Sequence, residues 1–354
     1  MSTKVHVAIL GASGYGAGEL LRLLTQHPHA RVIAAASHSS PGTAIAKFHP
    51  HLRGFYDLAA CAKLDLAPLL DADHAVIFSS LPHGESGAAI AELLPALDAR
   101  RDGGKARIID LSGDLRLRDI SAHQRFYPET PAFESLRPLA VYGMPELTRE
   151  QLRVARLVAN PGCLATAAIL AAAPLIDGGF RGTVVIDAKT GSSGSGKALK
   201  ETTHHPTRHA DFRAYKPLAH QHEGEITQAW GDPLAQRIAL SFVAQSMDVS
   251  RGIFATAHLT LPEPTTSAAL RAKYASYYAN SPFVRIVDDS PTLQDVVGSN
   301  FCDLALAARG RQVIAMAALD NLIKGMAGSA IQNMNLMCGL PETCGLWTPS
   351  LRPV

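Results

Sequence analysis

Short apolar runs alternate with amphipathic stretches through the first third of the chain. Val5–Leu10 is apolar except for His6 and has the length of a buried strand, while Gly18–His27 carries Leu20, Leu21, Leu23 and Leu24 on one side of a helix. Arg31–Ala36 and Ala75–Ser80 read as further strands, Glu85–Leu97 as a helix and Arg107–Leu111 as a strand. Strands alternating with helices of this length predict a Rossmann-type α/β domain, a parallel sheet covered on both faces. After about residue 160 the texture changes. Val184–Ala188, Ile238–Val243, Ile253–Leu261 and Gln312–Leu319 are strand-like, with fewer helices between them. That pattern predicts a second domain of α+β type with a mixed or antiparallel sheet. Between the strands, the segment GSSGSGK at 191–197 and the His- and Thr-rich stretch 200–213 read as one long functional loop. A last helix is expected over Asn321–Met337, where Gly325 and Gly328 suggest close packing. The expected division is 1–160 with 325–354 as one domain and 161–324 as the other.

Composition narrows the classes. The chain has 354 residues, 47% hydrophobic and 18% charged, enough to build a packed core and too apolar for extensive disorder. A formal charge of +2 argues against a nucleic-acid binder, which would carry a basic stripe. No apolar run has the length of a membrane span, and the first apolar stretch is too short for a signal peptide. Five cysteines fit no secreted disulfide framework, so reduced thiols and a cytoplasmic location are expected.

Two local arrangements carry chemistry. The run GASGYG at 11–16 follows a strand and opens a helix, the context of a dinucleotide-binding turn. Glycines there permit a tight turn and close approach of a pyrophosphate to the helix N-terminus. The second strand ends in ASHSS at 36–40, without the carboxylate that NAD sites often place there, which favours NADP and points to Ser37 and Ser39 as donors to a 2′-phosphate. Cys163 ends the run NPGC at 160–163, between the strand 157–159 and a helix over 164–175. A helix N-terminus favours a thiolate and offers N–H groups to a developing oxyanion, so Cys163 is the candidate nucleophile. Its candidate base lies in HQHEGE at 220–225: Glu225, three residues after His222, can orient that imidazole, which ranks His222 above His220. A zinc site would need a third ligand at a recognisable spacing, and none is found, so no metal is expected.

These runs, with LPHG at 81–84, DLSGDLRLRD at 110–119, VYGMPE at 141–146, SRGI at 250–253, GSN at 298–300 and DNLIKGMAGSAIQNMN at 320–335, resemble the N-acetyl-gamma-glutamyl-phosphate reductases across nearly the whole chain. The resemblance implies an NADPH-dependent reduction of an acyl phosphate to a semialdehyde in arginine biosynthesis, through a thioester on Cys163, with His220, His222 and Glu225 beside it. It implies cofactor contacts from Gly11, Ser13, Gly14, Tyr15, Gly16, Pro82, Ser193, Gly194, Asn321 and Lys324, and substrate contacts from Ser112, Arg116 and Arg251. It also implies a homo-oligomer, dimer or tetramer, with 161–324 as the catalytic and dimerisation domain. The family's H-R-H-x-P-E reads H-Q-H-E-G-E here, which leaves the histidines and the last glutamate in place. The stretch 203–217 resembles a sub-branch that includes the lysine-biosynthesis reductases, whose aminoadipyl phosphate, at times carried on a protein, is the alternative substrate. A non-catalytic dinucleotide-binding regulator would lack the nucleophile or base, and a thiol hydrolase would need no glycine turn.

Overall fold

A computed structural model of the chain describes residues 4–231 and 237–353; the outer limits of the expected domains, residues 1 and 354, lie outside them. The chain forms two compact units. The first comprises Met1–Ile120, Tyr127–Pro161 and Met326–Trp347, the second Ser121–Phe126, Gly162–Gly325 and Thr348–Val354.

The first unit is built on strands β1 (Val5–Leu10), β2 (Ala30–Ala36), β3 (His74–Ser79), β4 (Ala106–Asp110), β5 (Ala140–Tyr142) and β6 (Leu157–Ala159), in the order β2-β1-β3-β4-β6-β5. Every pairing is parallel. Helix α1 (Tyr15–Leu24) follows β1, and α2 (Glu85–Asp98) follows β3. Helix α1 starts at Tyr15, three residues before the expected Gly18, because Gly16 and Ala17 are buried there without adding an apolar pattern, and it ends at Leu24. Ile77, Ile108 and Leu157 of the sheet pack with Ile90, Leu94 and Leu97 of α2 in one core, each worth about 1.5–3 kcal/mol relative to exposure. The order reverses beside β1, and in open α/β sheets the crevice outside the carboxyl ends of strands at such a point receives ligands.

The second unit carries a mixed seven-stranded sheet of β7 (Gly182–Thr190), β8 (Arg213–Tyr215), β9 (Ile238–Ser246), β10 (Ile253–Thr260), β11 (Val284–Ile286), β12 (Cys302–Arg309) and β13 (Gln312–Leu319), in the order β11-β12-β13-β10-β7-β9-β8. The β7–β9 and β11–β12 pairs are parallel and the others antiparallel. Helix α3 (Cys163–Asp177) packs on β10 and β13 and is buried at every position from Leu164 to Ile176, as a helix without a polar side must be. Pro174 lies inside α3 and has no N–H for the carbonyl of Leu170. The Tyr278 hydroxyl donates to that carbonyl at 2.7 Å, and Tyr274, in α5 (Ser267–Tyr277), donates to Ala171 O at 2.6 Å. Helix α4 (His222–Ala229) completes the elements that bear on chemistry.

The expected helix over Asn321–Met337 is interrupted. A π-helical turn at Ile323–Ala327 precedes the closing α-helix Gly328–Met337. The Asp320 carboxylate accepts the N–H groups of Leu322 and Ile323, which fixes the start of the turn.

Candidate active site

In the first unit, Gly11 sits at φ +81°, and a Cβ there would lie 2.7 Å from Ser80 O, so the turn closes on β3 only with glycine. The N–H groups of Gly11 and Ala12 donate to Ala36 O at 3.1 and 2.9 Å. Helix α1 then begins with no capping side chain and no acidic residue in its first turn, and the space in front of Gly14 is open. Its first N–H groups therefore face a gap with positive character, the cradle a pyrophosphate requires. Ser13 and the exposed Tyr15 belong to the same turn. From beneath, His49 donates from Nε2 to Ala12 O at 2.8 Å. Ser37 is buried with its N–H on Cys61 O, its Oγ is 3.5 Å from that of the exposed Ser39, and Pro82 is exposed in the loop after β3.

In the second unit, Cys163 is the first residue of α3 and is not part of a disulfide. Gly162, just before it, donates its N–H to Glu225 Oε2 at 2.8 Å. The other oxygen, Oε1, lies 3.8 Å from His222 Nε2. A Cβ on Gly162 would come within 2.3 Å of that same Nε2, so the imidazole rests against the backbone beside the nucleophile in space that only glycine leaves. Gly325 does likewise on the thiol's own side, where a Cβ would fall 2.6 Å from Cys163 Cβ. Glu225 is fully buried, and one carboxylate thus ties base and nucleophile segments together.

His220 is placed differently. Its Nδ1 accepts the backbone N–H of His222 at 3.1 Å, and its ring packs between His222, Phe242 and Tyr215 at centroid distances of 4.6, 5.5 and 5.6 Å. Burial, reinforced by His222 and Lys216 against Glu225, pulls its imidazole down to about 2. The ring is therefore neutral at working pH and carries its proton on Nε2. The unfolded chain takes up a proton at His220 as pH falls through about 6.5, and the folded chain does not. Stability is expected to drop below that pH, and thermal melts of wild type and His220→Gln from pH 8 to 5 should show a shallower acid slope in the variant.

The remaining residues expected at the site are held as follows. In the first unit, Ser112 is buried; its hydroxyl donates to Asp110 Oδ2 at 3.0 Å and accepts from Asp114 N. Arg116 is buried as well, and the Nε–Nη2 edge of its guanidinium donates to Asn160 O and Leu111 O, at 2.8 and 2.9 Å. In the second unit, the same edge of Arg251 forms a bidentate pair with Asp320, at 3.1 and 3.2 Å. Asn321 accepts Gly252 N at 2.7 Å and donates to Ser193 Oγ at 2.9 Å, beside Gly194. Lys324 is fully buried, its Nζ 5.8 Å from the Phe283 ring centroid.

Two family models match the chain: the semialdehyde dehydrogenase NAD binding domain over residues 6–155 and the semialdehyde dehydrogenase dimerisation domain over residues 163–321. The N-acetyl-gamma-glutamyl-phosphate reductase of Symbiobacterium thermophilum is 42% identical over 349 residues, covering 97% of both chains. That of Archaeoglobus fulgidus is 42% identical over 349 residues, covering 99% of this chain and all of its own. This chain belongs to the N-acetyl-gamma-glutamyl-phosphate reductase family. Its fold is that of the aspartate semialdehyde dehydrogenases. The Vibrio cholerae enzyme II complexed with ASA superposes with a TM-score of 0.67 at 17% identity, covering 95% of this chain and 98% of that one. A probable aspartate-semialdehyde dehydrogenase from Pseudomonas aeruginosa gives 0.65 at 20%, covering 94% and 98%.

Membership makes the cofactor a nicotinamide dinucleotide, and the uncapped start of α1 fits its pyrophosphate. For a member of this family, the least visible part of the thiol site is Tyr215. Burial and the nearby Cys163 thiol push its hydroxyl up, and its ring meets His220 edge to face. Its sequence signal, YKP at 215–217, marked a sub-branch and gave no hint of this neighbour. Among the described residues no cluster of His, Cys, Asp and Glu could hold a metal ion, and no helix is long and apolar enough to cross a membrane.

Proposed function

We propose that the chain reduces N-acetyl-gamma-glutamyl phosphate to the semialdehyde and inorganic phosphate with NADPH. The observation that carries the reading is the Gly162–Glu225–His222 linkage around the first residue of α3. The Cys163 thiolate attacks the acyl carbon, the bond from that carbon to the phosphate oxygen breaks, and phosphate leaves a thioester. Bound NADPH supplies the hydride that reduces the thioester carbonyl. His222, oriented by Glu225, takes the thiol proton at the start, donates a hydrogen bond to the oxyanion left by hydride addition, and returns the proton to the thiolate once that oxyanion has collapsed to the aldehyde. His220 positions His222 through the backbone bond and stays neutral. NADPH consumption followed with N-acetyl-gamma-glutamyl phosphate and with aminoadipyl phosphate tests the substrate; turnover of the second alone would overturn it.

Preference for NADPH rests on the absence of a carboxylate at 36–40 and on the exposed Ser39. A ratio of at least about tenfold in kcat/KM over NADH is expected, about 1.4 kcal/mol of differential binding. Ser39→Asp should erode it by setting a negative charge against the 2′-phosphate, and steady-state kinetics with both cofactors check this.

The second unit also supports a homo-oligomer. Along β7, Val184, Ile186 and Ala188 are buried, while Thr183 and Val185 on the opposite face are exposed. A second copy of the chain, as the dimerisation model suggests, would cover that face, and light scattering of the purified protein would read a multiple of 37.6 kDa.

A further inference from the structure

Two buried carboxylates of the first unit take no part in the chemistry above. Asp110, at the end of β4, accepts hydrogen bonds from Ser86 Oγ at 2.6 Å and from the N and Oγ of Ser112 at 2.8 and 3.0 Å. Asp114 is fully buried four residues on. Both of its oxygens accept Gly84 N, at 2.8 and 2.9 Å, and Oδ2 also accepts Gly87 N at 2.8 Å. Gly84 is the N-cap residue of α2, at φ +83°. Asp114 therefore occupies the N-terminus of α2 as a bound anion would, with charge-assisted bonds to N–H groups that have no partner inside the helix.

The loop held in this way borders the cofactor turn. Residues 80–84 join β3 to α2, and Ser80 and Leu81 are the atoms a Cβ on Gly11 would strike. From the other side Gly113 N donates to His83 Nδ1 at 2.8 Å, so a second bond ties the same loop to the segment after β4. Helix α1 has an uncapped start and no acidic residue in its first turn, whereas α2 has Glu85 there in addition to Asp114. Of the two helix starts beside the turn, one is left open to phosphate and the other is closed by the chain's own carboxylate.

We propose that Asp114 is a positioning residue for the dinucleotide: it fixes the loop 80–84 against the glycine turn before the cofactor arrives and reserves the pyrophosphate for α1. This rests on the dinucleotide site of the first unit and not on the identity of the acyl phosphate. Fluorescence titration with NADPH on the full chain tests it. Asp114→Asn keeps the shape but turns an amide N–H₂ toward the N–H groups it should accept from. The dissociation constant is expected to rise about tenfold or more, with kcat at saturating NADPH changed less than about threefold. Leu152→Ala, a core truncation elsewhere in the same unit, controls for lost stability and should lower Tm while leaving the constant unchanged. Equal constants in Asp114→Asn and wild type, or an equal rise in the Leu152 variant, would overturn the proposal. Should Asp114→Asn fail to fold, amide exchange in the wild type decides. Gly84 and Gly87 should already be protected without cofactor, and protection that appears only with NADPH would overturn it. A protein that binds NADPH in this way and yet turns over neither acyl phosphate would refute the proposed reaction and leave Asp114 in its role.

Discussion

Cys163→Ser is expected to bind NADPH with unchanged affinity and to lose turnover by about 10³-fold or more. Serine fits the first position of α3, so the buried helix and the Gly162–Glu225 bond persist. A hydroxyl with a pKa far above that of a thiol is not ionised by the same base, and an oxygen ester replaces the more reactive thioester. Single-turnover reduction of the acyl phosphate, with NADPH affinity measured in parallel, separates loss of chemistry from loss of binding. Near-normal reduction by the variant would remove Cys163 from the reaction.

The second large effect falls on His222. His222→Asn should lower kcat by about 10²- to 10⁴-fold, the range for a positioned general acid–base. His220→Asn should cost less, because its Nδ1 serves only to hold the N–H of His222 and the amide oxygen of asparagine can accept that bond. Steady-state kinetics of both variants give the order. A larger loss at His220 would exchange the two roles and leave the element itself in place.

The arrangements that could be read from the sequence are contiguous ones. The glycine turn with β1 and α1, and NPGC between β6 and α3, are strand–turn–helix units whose meaning lies within one continuous stretch each, 5–24 and 157–177. Each joins the end of a parallel strand to a helix N-terminus. Strands β5, β8 and β11 have three residues each, too few to show a period of two. Strand β12 escaped for another reason: CDLALAAR is buried through its first five residues, so neither alternation nor a helical stripe appears. Contacts across the chain were hidden altogether. Gly162 and Glu225 are 63 positions apart, and Gly84 and Asp114 are 30 apart. The motifs named the segments, but which carboxylate would meet which N–H depended on the sheet order. The same holds for Ser112 and Arg116, whose polar groups turn toward neighbouring backbone and Asp110.

The two tyrosines on α3 bear on precision. A helix with no polar side can slide along its axis at little cost, since every position exchanges one apolar neighbour for another. The hydroxyls of Tyr278 and Tyr274 grip carbonyls that belong to particular residues, Leu170 and Ala171, and so act as an axial stop. The stop lies about 11 Å from the thiol along the helix, beyond any contact with a reacting atom. A displacement of 1 Å at a reacting centre can cost about 10²-fold in rate. The depth to which the nucleophile projects is therefore set from the middle of its own helix, about two turns beyond the thiol, and substitutions of the two tyrosines would register as kinetic defects before they registered as lost folding.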